Sequence, residues 1–83
     1  MIEVKAVGGL SRILGRASFQ FANDSMLLYD LIKDLFQVDQ SDVDGFLSDI
    51  IVAINGVAVS EALQFVKVVS GDKVTLISVS HGG

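Results

Sequence analysis

His81 is the only histidine in this 83-residue chain, and cysteine is absent. Those two counts remove much side-chain chemistry at once. Without cysteine there is no thiolate nucleophile, zinc ribbon, iron–sulfur cluster or redox pair, and one imidazole cannot build a two-histidine metal motif. A Ser/His/Asp hydrolase could draw on nine serines and eight aspartates. Its base, however, must be held rigidly against the nucleophile, and His81 lies two residues from the end of the sequence, where a chain is least constrained. The acidic stretch 39–49 invites a calcium-loop test. A loop starting at Gln40 puts Asp42, Asp44 and Gly45 at its third, fifth and sixth positions. Its first position is then Gln40 itself and its twelfth, where a bidentate glutamate is needed, is Ile51. The match fails at both decisive ends, and a solvated acidic stretch is the better reading. Gly8-Gly9 is followed by Leu10-Ser11-Arg12 rather than the Lys-Ser/Thr pair of a phosphate loop, so it reads as a wide turn.

What remains is Ser80-His81-Gly82-Gly83. Four residues reach about 13 Å at ~3.3 Å each, and a Gly-Gly end has no side chains to stop it threading a narrow channel. Its reactive group is the α-carboxylate of Gly83, ionised at neutral pH because its pKa is ~3.5. A carboxylate is a poor acyl donor and becomes a good one when ATP converts it to an acyl-adenylate. The bland alternative is an inert, glycine-rich tail.

The charge balance of six Lys/Arg against ten Asp/Glu gives −4. It argues against nucleic-acid binding, which needs clustered cations, and favours a basic partner surface. Mean hydropathy is +0.58, yet the charge-free stretch 50–60 is far shorter than the ~20 residues of a spanning helix and Asn55-Gly56 interrupts it. No membrane association is expected. Met1-Ile2-Glu3-Val4-Lys5 has neither a basic nor a long apolar export region, so the expected location is the cytoplasm.

These residues need a scaffold, and with 51% hydrophobic content the chain can build it by apolar burial. Ile2, Val4 and Ala6 alternate with Glu3, Lys5 and Val7 as a first strand. Residues 10–14 make at most one helical turn, and 17–21 alternate again as a hairpin partner of the first strand. Asn23-Asp24-Ser25 is a helix-start cluster, followed by an apolar stripe of Leu27, Leu28, Leu31, Ile32, Leu35 and Phe36. Residues 39–49 read as a loop or short irregular helix. The β-branched run 50–54 is a buried strand, Asn55-Gly56 a tight hairpin turn, and 57–59 the return. In 61–69 the candidate core residues are Leu63, Phe65 and Val68. Ser70-Gly71-Asp72 is a turn before a last strand over 73–79. The expected fold class is α+β, a mixed sheet carrying one main helix over 1–79, with a flexible tail at 80–83. So small and apolar a domain is expected to leave hydrophobic surface exposed on its sheet as a docking face.

The segment Gly8-Gly9-Leu10-Ser11-Arg12-Ile13-Leu14-Gly15 after a first strand resembles the ubiquitin-like sulfur-carrier proteins of β-grasp fold. Asp30-Leu31-Ile32, Val52-Ala53-Ile54-Asn55-Gly56, Gly71-Asp72-Lys73-Val74 and Gly82-Gly83 look like the same family in the same order. The resemblance implies a roll whose first and last strands lie side by side and parallel. It also implies that the chain is a cosubstrate rather than an enzyme and binds no cofactor of its own. A ubiquitin-activating-type adenylyltransferase would consume ATP to adenylate Gly83. A persulfide donor such as a rhodanese or desulfurase would then make a thiocarboxylate. The sulfur would pass to a molybdopterin precursor, a thiamine thiazole or a tRNA uridine, with a molybdopterin-synthase large subunit or a tRNA thiolase as partner. Some relatives instead couple the terminal glycine to protein lysines. Ser80, His81 and Gly82 would lie in the partner's channel, His81 either contacting the activating enzyme or serving as a polar tail residue. Molybdopterin-synthase subunits commonly carry a proline pair before the tail, and this chain has no proline. The stretch from Leu76 to Gly83 looks more like the tRNA-thiolation modifier, while the compact loop at 8–15 looks more like the molybdopterin type.

Overall fold

The computed structural model describes residues 1–79. Strand β1 (Ile2–Val7) alternates strictly between buried and exposed positions. A short helix α1 (Gly9–Leu14) follows, and β2 (Ser18–Phe21) returns antiparallel to β1, pairing Ile2 with Phe21 and Val4 with Phe19. Then come β3 (Ser25–Leu27), α2 (Leu28–Phe36), α3 (Gln40–Ser48), β4 (Ile50–Ile54) and β5 (Val57–Val59). A single 3-10 turn (Leu63–Phe65) leads into β6 (Lys67–Val69) and finally β7 (Lys73–Ser78). The main sheet has the order β2-β1-β7-β4-β5, and β3 and β6 form a separate two-stranded sheet. Strands β1 and β7 are parallel, from Glu3 opposite Lys73 to Val7 opposite Ile77, as the expected roll requires. Every other pair is antiparallel.

One face of the main sheet is apolar because period-two alternation puts Ile2, Val4, Val52, Val74 and Leu76 on it, all essentially without exposure. Leu28, Leu31 and Ile32 of α2 close over them, and no polar or charged residue is buried among the described residues. Asn55 and Gly56 both adopt positive φ, the conformation a two-residue hairpin turn demands.

Four local expectations need correction. Asn23-Asp24-Ser25 does not start the helix: Ser25 begins β3, and Leu27 caps α2 without a side-chain hydrogen bond. Pairing with β6 wins because it satisfies the backbone directly, the Leu28 amide donating to Val66 O (2.8 Å) and the Ser70 amide to Asp24 O (2.8 Å). Leu27 is consequently half-exposed rather than part of the core stripe. Residues 39–49 are mostly the regular helix α3, held by buried Val43 and Leu47 and by Phe46 stacked on Phe36 at 4.7 Å. Phe65 is 76% exposed, because the chain enters β6 with Val68, not Phe65, facing inward; Leu63 packs at the core edge.

The end of the sheet near the chain start is clamped by side chains from two turns. Asn55 Nδ2 donates to Asp72 Oδ1 (2.9 Å), the Lys73 amide donates to Asn55 Oδ1 (2.9 Å), and the Val69 amide donates to Asp72 Oδ2 (2.8 Å). The Val69 amide and, less strongly, the Asn55 amide group hold the Asp72 carboxyl below its ordinary value of 3.8. A carboxylate with a depressed folded-state pKa stabilises the fold above its unfolded pKa and loses that contribution as pH falls through the folded value. Asp72→Ala is therefore expected to lower Tm at neutral pH, with the gap to wild type narrowing as pH drops below 3.8. Thermal melts across that range provide the check.

Candidate functional site

Ser80, His81, Gly82 and Gly83, the residues singled out from the sequence, lie outside the described residues. The structure does place what leads to them. β7 runs between β1 and β4 in the middle of the main sheet, and the Val79 amide just beyond it donates to Asp49 O at the end of α3 (3.0 Å). Beside this point α1 comes down on β7. A Cβ at Gly8 would sit 3.1 Å from Ser78 Oγ, and Gly8 has φ +73. Gly8 at this turn is thus favoured by close approach and by backbone conformation, not by phosphate binding, whereas a Cβ at Gly9 would meet Ser78 Oγ only at an ordinary 3.7 Å.

The outer face of the sheet changes character along β7. Near the start of β7, exposed Glu3 and Lys73 face each other at 4.0 Å. They help line a shallow cleft of about 200 Å³ with Lys5, Ser18 and Thr75. Towards the end of β7 the register lines up Val7, Ile77 and Ile51 across three strands. Val7 is 40% exposed, Ile51 46% and the nearby Val79 37%. An apolar row in water, beside the point where the chain leaves the sheet, has the character of a protein-docking surface. Single exposed valines and isoleucines are unremarkable in a strand sequence. Only the β1–β7–β4 register makes them neighbours, so local pattern alone does not identify the residues of this row.

The remaining candidates fall elsewhere. Asp42, Asp44 and Gly45 lie within α3, a geometry that does not wrap oxygen ligands around an ion as a calcium loop does. Asp44 instead accepts a hydrogen bond from the Tyr29 hydroxyl of α2. That bond to the carboxylate, with a smaller contribution from burial, raises the Tyr29 pKa. Of the cations, Arg16 lies over the Phe19 ring at 4.7 Å from its centroid.

No protein-family model matches the chain, and no curated protein does. Solved structures do. SAMP1 of Haloferax volcanii superposes with a TM-score of 0.71 at 18% identity, covering 99% of this chain and 98% of that one. A chain from the complex of subunits 1 and 2 of the molybdopterin-converting factor of Helicobacter pylori superposes with a TM-score of 0.62, also at 18% identity. It covers 99% of this chain and 97% of its own. The fold is the ubiquitin-like β-grasp. Within the β-grasp, the parallel β1–β7 pair positions both the apolar row and the base of the tail.

Two substitutions test this geometry. Ile51→Thr keeps a β-branched residue on an outward position and should change stability by no more than about 0.5 kcal/mol. Gly8→Ala forces a side chain into a positive-φ position against Ser78 and should cost about 1–3 kcal/mol. Urea denaturation of both variants measures the contrast.

Proposed function

We propose that this β-grasp domain is a carrier whose reactive group is the main-chain carboxylate of Gly83. The observation that carries this reading is the placement of β7. A central strand delivers the chain, at Val79, to Ser80-His81-Gly82-Gly83 beside an apolar row in which Val7 and Ile51 are exposed and Ile77 between them is half-buried. Superposition over nearly the whole length of two small β-grasp proteins supports it, and one of those proteins was solved in a complex of two subunits.

The chemistry needs a partner at each step. An activating enzyme of the ubiquitin-activating type directs the Gly83 carboxylate oxygen onto the α-phosphorus of ATP, and pyrophosphate leaves. The resulting acyl-adenylate has AMP as its leaving group. The terminal persulfide sulfur of a rhodanese or desulfurase forms a C–S bond to Gly83 and displaces AMP. A thiol then attacks the S–S bond carried over from the persulfide, leaving a thiocarboxylate on Gly83 and a disulfide on the donor. Ser80, His81 and Gly82 enter each partner's channel, and the glycine supplies a profile without a side chain. The domain docks through the apolar row and contributes no catalytic side chain. Molybdopterin synthesis and tRNA thiolation are the candidate destinations of the sulfur.

Intact mass spectrometry after incubation with ATP, an activating enzyme and a persulfide donor tests the proposal. The expected result is an adenylate, followed by a mass change corresponding to one oxygen replaced by sulfur. Deleting Gly83 should abolish both products and leave Tm unchanged. Isopeptide bonds from Gly83 to lysines, without a thiocarboxylate, would replace the carrier reading with protein modification. Absence of any adenylate with the cognate activating enzyme would overturn both readings and leave an interaction module with an inert tail.

A further inference from the structure

Helix α3 presents two different faces. Val43 and Leu47 are buried against the core. Asp42, Gly45, Phe46 and Asp49 recur at spacings of three and four, so they share another face. With Val38, from the connection between α2 and α3, these four line an open groove of about 390 Å³. Stacking on Phe36 fixes the Phe46 ring in place. The groove thus combines apolar surface from Val38 and Phe46, the absent side chain of Gly45, and carboxylates from Asp42 and Asp49. Every charged residue lining it is acidic.

We propose that this groove docks a segment of a partner protein in which an apolar side chain is flanked by lysine or arginine. Val38, Gly45 and Phe46 receive the apolar group, and Asp42 supplies the complementary charge at one end. Asp49 marks the other end, and its carbonyl is the acceptor for Val79 at the base of the tail (3.0 Å). A protein that contacts Val79 is therefore next to this end of the groove. This surface belongs to the helical layer and is separate from the apolar row on the outer sheet face. Its occupancy does not depend on the chemistry at Gly83. A Cβ at Gly45 meets no atom within 4 Å, so the groove can be filled from inside without disturbing the fold.

The test is a titration of the ¹⁵N-labelled full chain with a capped pentapeptide, one leucine between two pairs of basic residues. Amide shifts are expected at Val38, Gly45, Phe46 and Asp49, with weaker binding as salt screens the charges. Gly45→Gln should raise Kd by about tenfold or more and Asp42→Asn by about two- to fivefold, with the melting temperature of Gly45→Gln no lower than wild type. Replacing the leucine with serine should remove binding. The proposal is overturned if the serine peptide binds equally well, if shifts fall on Val7, Ile51 and Ile77 instead, or if Gly45→Gln binds as wild type. Absence of shifts at millimolar peptide overturns it too. Concentration-dependent self-association abolished by Gly45→Gln would assign the groove to a second copy of the chain.

Discussion

The parallel pairing of β1 with β7 is the constraint on which the rest of the structure depends. It places the first and last strands at the centre of the sheet, where β2 can add to one side and β4 with β5 to the other. A parallel pair cannot be joined by a tight turn, so everything between the two strands must form a crossover. Helices α2 and α3 occupy that crossover and cover one face. The other face stays open, and the same register that fills the core also assembles the exposed apolar row above it.

Much of this was legible in the sequence. The alternation in Ile2, Val4 and Ala6, the Leu28-Leu31-Ile32 stripe and the Asn55-Gly56 turn each follow from local periodicity or conformation. Local rules failed where a tertiary partner outcompeted them. Ser25 belongs to a strand because β6 offers backbone hydrogen bonds that a capping side chain would have replaced only in part. The helix at Gln40–Ser48 was obscured by its acidity and by Gly45. Its folding signal was the pair Val43 and Leu47, one turn apart, which becomes decisive only once α2 provides a surface to bury them. Phe65 shows the reverse error, since aromatic character does not decide whether the last residue of a short 3-10 turn faces the core.

The candidate site was legible in a different way. Ser80, His81, Gly82 and Gly83 stand out by residue type and position, whereas Val7, Ile51 and Ile77 are ordinary residues made into neighbours by register. The acidic residues also divide by context. Asp72 clamps two turns, Asp44 ties α3 to α2 through Tyr29, and Asp42 faces the groove. A net charge of −4 says nothing about that division of labour.

The central position of β7 has a consequence for how the domain comes into being. Met1 already bonds to Ser70 across a separation of 69 residues, and the β1–β7 ladder spans a similar distance. Such non-local pairing carries its loop-closure entropy before its contacts form, which slows folding relative to a helical protein of the same size. Until the last strand arrives, both β1 and β4 expose an unpaired edge of backbone donors and acceptors. Incomplete chains therefore carry two sticky edges, which are sites for aggregation or chaperone capture. The segment that delivers the proposed reactive end is thus also the one that completes the fold.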